Sequence, residues 1–70
     1  MNKPLLKSII AKNDDTQDAL AEALSLPRSS LSNRINGKTD FRVREIDCIR
    51  RRYKLTAKET VDIFFDQAVS

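Results

Sequence analysis

The sequence predicts an all-α fold, a compact five-helix bundle forming a single unit over residues 1–70. Three observations lead to it. Apolar residues recur three and four positions apart rather than alternating, the spacing of one helix face. Pro4, Pro27, the single glycine Gly37 and a Thr56–Glu59 capping box stand where such runs begin or end. No repeat, low-complexity tract or linker divides the chain.

Each element follows from these signals. A first helix is expected from about Pro4 to Lys12, with Pro4 in its first turn and Leu6, Ile9 and Ile10 facing the core. Thr16 is suited to cap a second helix, because its hydroxyl can accept from a free backbone N–H of the first turn. Leu20, Ala21, Ala23 and Leu24 then gather on one side. Ser25-Leu26-Pro27 breaks the pattern, since proline has no N–H to donate. A third helix runs from Arg28 to about Asn36, where Gly37 supplies a left-handed cap. The loop Gly37–Asp40 leads to Phe41, placed in the core beside Leu31 and Ile35. In a fourth helix, about Val43 to Tyr53, the residues Val43, Ile46, Ile49 and Tyr53 fall in a stripe of roughly 120°, with Arg44, Cys48 and Arg51 on the far side. Leu55 closes that helix against the core. The fifth opens on the capping box and runs to about Gln67. Its apolar face is assigned to Ala57, Val61, Phe64, Phe65 and Ala68, which leaves Ile63 on the opposite, exposed side.

The helix from Arg28 has unusual surface chemistry. Leu31 and Ile35 are its only apolar side chains. Arg28, Ser29, Ser32, Asn33 and Asn36 are left outward, all able to hydrogen-bond and none acidic. A solvated face on an ordinary helical hairpin would carry mixed Glu and Lys. A face of Ser, Asn and Arg has poor helix propensity, so helix stability does not account for it. Two short helices over residues 16–36, the first bracing a second that presents polar groups, make the pattern of a helix-turn-helix, whose second helix meets base edges in a major groove.

Charge placement points the same way. The formal net charge is only +3, but residues 28–58 hold ten Lys or Arg against Asp40, Glu45 and Asp47, a surplus of seven. The flanking segments are net acidic, so one face is suited to a polyanion. Catalysis finds no support: there is no His, Cys48 is solitary, no Gly-rich phosphate loop exists and no Cys/His metal cluster is present. Neither a cofactor nor a metal is expected. Asp14 and Asp15 are read as a plain loop favouring the positive end of the next helix. The broken apolar run Leu5, Leu6, Ile9, Ile10 is too short for a signal peptide or a membrane span. With one cysteine, the chain is expected in a reducing cytoplasm, away from membranes. Cys48 itself is expected to be reduced, partly exposed and dispensable.

Residues 5–65 resemble the Cro/CI-like (XRE-type) helix-turn-helix regulators of temperate phages and their bacterial hosts. Thr16-Gln17 with Leu20-Ala21 is similar to the family's opening Thr-Gln-x-x-Leu-Ala. Leu31-Ser32 resembles its apolar-Ser step, and Asn36-Gly37-Lys38 its Asn-Gly-Lys. Phe41, Glu45-Ile46, Ile49, Leu55 and Phe64-Phe65 resemble a subgroup of small phage regulators. Two positions depart from the pattern: Ser25 stands where the turn usually has Gly, and Pro27 where a capping Ser or Thr is common.

The resemblance implies a lambda-repressor-like bundle that binds double-stranded operator DNA, usually as a homodimer, in the cytoplasm of a bacterial host and associated with its nucleoid. It implies base reading from Arg28, Ser29, Ser32 and Asn33, with Gln17, Asn36 and Lys38 at phosphates and Gln17 also bracing the first reader. Arg34 and Arg42 join the phosphate set on charge. Arg28 is matched to guanine O6 and N7, and Asn33 to adenine. The expected function is transcriptional control by operator occlusion, in the Cro-like manner. The alternative is an antirepressor that docks on a phage repressor protein and masks its DNA-binding surface; an antitoxin-like role is a third option. Ile63, Phe65 and Val69 are the candidate protein interface, for a second copy or for such a repressor.

Overall fold

The computed structural model describes residues 1–65, and among these the chain forms five helices and no strand. They are α1 (Lys3–Lys12), α2 (Gln17–Ala23), α3 (Arg28–Ile35), α4 (Val43–Arg52) and α5 (Ala57–Phe64). None is long and apolar enough to cross a membrane. Three helices start on side-chain caps. Asn2 Oδ1 accepts from Leu5 N–H, and Thr16 Oγ1 from Ala19 N–H. Thr56 and Glu59 form the expected reciprocal box, at 2.8 and 3.1 Å.

Four of the five helices stop in one way. After α1, α2, α3 and α4 the second residue beyond the helix turns left-handed: Asp14 (φ 53°), Ser25 (57°), Gly37 (80°) and Lys54 (54°). In each case that residue's N–H and the next one's return to carbonyls of the last turn, as in Ser25 N–H to Glu22 O and Leu26 N–H to Ala21 O. Ser25 thus holds the backbone angle that glycine would adopt freely, at a cost of about 1–2 kcal/mol for an L-residue. At Gly37 a Cβ would meet nothing within 4 Å, so glycine serves there by its φ alone.

The short helices close on a core of Leu6, Ile9, Ile10, Leu20, Ala21, Leu31, Ile35, Ile49, Tyr53, Leu55 and Ile63. α2 packs on α3, while α1 and α4 pack on α5. Phe41 is half-buried at the margin and meets Phe64 edge-to-face, with ring centroids 5.4 Å apart. The radius of gyration, 11.2 Å, is that of a compact chain of this length.

Two helices are rotated from their expected faces. In α4, Val43 is 83% exposed while Glu45 is buried. The buried set Glu45, Ile49 and Tyr53 turns the helix so that Val43 lies about 120° from its centre, at 100° per residue. In α5, Ile63 is fully buried, whereas Val61 and Phe65 are about half exposed and Ala57 is exposed. The expectation that Ile63 is a surface residue is therefore overturned. The cause is Thr60, whose hydroxyl donates to Thr56 O at 2.9 Å, so that the residue is buried beside Ile63 with its polar group satisfied. A further tie, Asn2 N–H to Ile63 O at 2.7 Å, holds this face toward α1. Gln67, Ala68 and Val69 lie outside the described residues.

Ile63→Asp should unfold the protein, not merely loosen an interface. Truncating a buried Ile already costs about 2–5 kcal/mol, and a chain of this size has roughly 4–10 kcal/mol in all. Val61→Asp should stay within about 0.5 kcal/mol of wild type. Thermal denaturation followed by circular dichroism measures both.

Candidate nucleic-acid interface

α3 is anchored by Leu31 and Ile35 and by little else that is apolar. Arg28, Ser29, Asn33 and Asn36 are exposed and Ser32 is partly so. Pro27 occupies the cap position with extended angles (φ −59°, ψ 149°) and makes no side-chain cap, so Arg28 is the first helical residue. The expected outward set is therefore presented together on one helix.

Polar ties hold that helix in place. Arg34 Nε lies 2.8 Å from Glu45 Oε1, with the two side chains only 13% and 5% exposed. Its Nη1 donates to Ser30 O at 3.4 Å. The same Glu45 oxygen accepts the Arg42 N–H at 2.9 Å, which closes the start of α4. Arg34, expected to meet a phosphate, instead turns inward as a brace between α3 and α4. At the other end of α3, Lys3 Nζ donates to Asn36 Oδ1 (2.7 Å) and Asn36 Nδ2 to Ser32 Oγ (3.3 Å). Asn36 is thus tied to α1 and to Ser32.

Arg28 Nε lies 3.0 Å from Asp18 Oδ1 on α2, an exposed pair. Bracing of this residue was expected from Gln17, which begins α2 and is partly buried. Among the described residues, the basic surplus is largely paired: Arg50 and Arg51 share Asp47, Arg52 meets Asp15, and Lys58 meets Asp62. The Arg50 hydrogen bond, with the charges of Arg51 and Arg50, holds the Asp47 carboxyl below its ordinary range. Lys38, Arg42 and Arg44 are exposed and form no ion pair among the described residues. They flank α3 in sequence, on the loop that follows it and the first turn of α4. Arg44 also lines a surface cleft with Ala23, Leu24 and Ser25, next to the α2–α3 turn.

Sequence reading missed four residues here. Asp18, Glu45, Lys3 and Asp15 each meet a partner on another element, and spacing along one helix carries no sign of such pairs. Glu45 alone left a trace, as an acidic third residue of a helix able to reach back to the first free N–H.

Asp15 is no plain loop residue. Its carboxylate takes Arg52 Nε and Nη2 at 2.8 and 3.1 Å and the Tyr53 hydroxyl at 2.6 Å. The Arg52 bonds first, then that of Tyr53, hold the Asp15 carboxyl well below the ordinary carboxylate range. Burial and the Asp15 bond push the Tyr53 hydroxyl above its usual value. This clamp joins the lead-in of α2 to the end of α4. Cys48 is free and partly buried, its Sγ 3.9 Å from Ala23 O in the seam between α2 and α4. A cavity of about 440 Å³ lies between the α3–α4 loop and α5, lined by Phe41, Ile46, Phe64, Phe65, Met1 and Arg34 among others.

A depressed carboxylate stabilises the fold above its unfolded value, near 4, and that contribution is lost as pH falls through and below this range. Asp15→Asn should lower stability at neutral pH and flatten the acid limb between about pH 5 and 2. Urea denaturation at stepped pH checks it: curves for wild type and variant should converge at the acid end.

Compared with known proteins, the chain matches no family model, no curated protein and no solved structure.

Proposed function

We propose that the protein is a sequence-specific DNA-binding transcriptional regulator of the Cro-like type, with α2 and α3 acting as a lambda-repressor-like helix-turn-helix. The observation that carries this is the outward face of α3. It offers Arg28, Ser29, Ser32 and Asn33 with no acidic residue of its own, on a helix whose inner side is braced by the Arg34–Glu45 pair. Such a helix can enter a major groove without desolvating an unpaired carboxylate. Lys38, Arg42 and Arg44 supply positioning contacts to phosphates, with Gln17 and Asn36 at the ends of the reading surface. Arg28 carries the most base information, because a guanidinium matches guanine O6 and N7 together. A dimer would set two α3 helices in grooves about 34 Å apart and occlude a promoter.

A second reading is favoured by another observation. Val61 on α5 and Phe65 just after it are both exposed, and Met1, also exposed, lines the same cavity as Phe65. This apolar set keeps Phe65 of the expected interface, with Val61 in place of the buried Ile63, and suits either a second copy or the repressor of an antirepressor pair.

Mobility shifts on the protein's own upstream region, with and without a phage repressor protein, separate the readings. Four to six phosphate contacts per dimer predict a log–log salt slope of roughly −4 to −5. Arg28→Ala should cost about 1–3 kcal/mol of discrimination while leaving much of the non-specific binding. Lys38→Ala should weaken all sequences alike and make the slope shallower. Binding that is absent at low salt, with capture of the repressor instead, would favour the antirepressor.

A further inference from the structure

From the pairing of Arg28 with Asp18 we infer that Asp18 is a positioning residue that aims the terminal nitrogens of Arg28 outward as a guanine-reading fork. The inference rests on the DNA-binding reading above and adds to it what selects the base. Arg28 is the first residue of α3, at a point where no cap bond from Pro27 fixes the chain. A long side chain there has many rotamers. Its Nε lies 3.0 Å from Asp18 Oδ1, an ion-pair contact. A guanidinium is planar and rigid, so holding Nε leaves the separate edge formed by Nη1 and Nη2 for a second, bidentate partner. Among the described residues, Asp18 is the one acid paired with Arg28.

Asp18 stands on a fixed platform. It is the second residue of α2, whose start is set by Thr16 Oγ1 accepting from Ala19 N–H at 3.1 Å. An acid there also complements the positive end of the helix. The pair is open to water, with Asp18 86% and Arg28 46% exposed, and such pairs contribute little to stability. What remains is orientation. The carboxylate carries a cost in the same act, since it brings negative charge toward a phosphate backbone. Asp18 therefore lowers general affinity for duplex DNA and raises selectivity at the base that Arg28 meets.

The test uses the full chain. Wild-type protein first selects its preferred duplex from a randomised pool. Fluorescence anisotropy then compares that duplex, its G-to-A variant at the Arg28-dependent position, and an unrelated duplex. Asp18→Ala and Asp18→Asn both remove the charge, so both should bind the unrelated duplex about two- to threefold more tightly at low salt, with the gain shrinking as salt rises. Only Asp18→Ala removes the acceptor. It should lose about fivefold or more in discrimination, the lower bound for a bidentate guanine pair, whereas Asp18→Asn keeps most of it. In an Arg28→Ala background neither substitution should change discrimination further. Unchanged discrimination in Asp18→Ala, or a loss that persists without Arg28, overturns the positioning role while leaving DNA binding intact. A pool that enriches no sequence, with no duplex bound at low salt, overturns the DNA reading and this inference together.

Discussion

The buried ion pair between Arg34 and Glu45 is the constraint on which the proposed reading surface depends. α3 has only Leu31 and Ile35 to bury, and its Ser and Asn residues are weak helix formers. Two apolar side chains fix a helix against rotation poorly. Arg34 adds a directional anchor on the same inner side, and Glu45 receives it at the start of α4. A single carboxylate oxygen thereby holds α3 and satisfies the first backbone donor of α4. Both partners are shielded from water, so removing either would strand the other's charge, a loss of about 3–5 kcal/mol.

Around that tie the chain is made of very short helices, four of them ended by the same left-handed turn. The device permits sharp changes of direction after seven to ten helical residues, with the last carbonyls satisfied. Only one of the four turns uses glycine. The strain accepted at Asp14 and Lys54 is offset by following residues that are well anchored: Asp15 in its clamp with Arg52 and Tyr53, and Leu55 in the core. Ser25 holds the left-handed conformation that a glycine would supply.

Helix starts were legible in the sequence because caps and breakers act over three or four residues, whereas the fifth helix, expected to run to about Gln67 with no breaker to mark its end, stops at Phe64. The exposed set Arg28, Ser29 and Asn33 was legible for a related reason, since α3 has a single narrow apolar stripe and so a single way to face inward. Faces were misread where a polar residue was buried at small cost. Glu45 entered the core margin through its ion pair and turned Val43 out, and Thr60 did so through its own backbone bond and left Val61 outside. Apolar counting favoured the broad run Ala57, Val61, Phe64 and Phe65 over Ile63 because it assigns no value to a satisfied hydroxyl. The partners of Arg28, Arg34 and Asn36 come from separate elements, ten or more residues away, and only the fold brings them together.

The proposed functional surface of this small bundle is α3 with the loop and helix start that follow it, bordered by the beginning of α2. The apolar patch of Val61, on α5, and Phe65, just after it, is proposed for protein contact. Amide chemical shifts during titration of the labelled protein with a short duplex at low salt test that division most directly. The account predicts shifts concentrated at Gln17, Asp18, residues 28–33 and residues 38–44, with α5 unmoved at protein concentrations where it stays monomeric. Shifts centred on Val61, Phe65 and Met1, or none on α3, would contradict it.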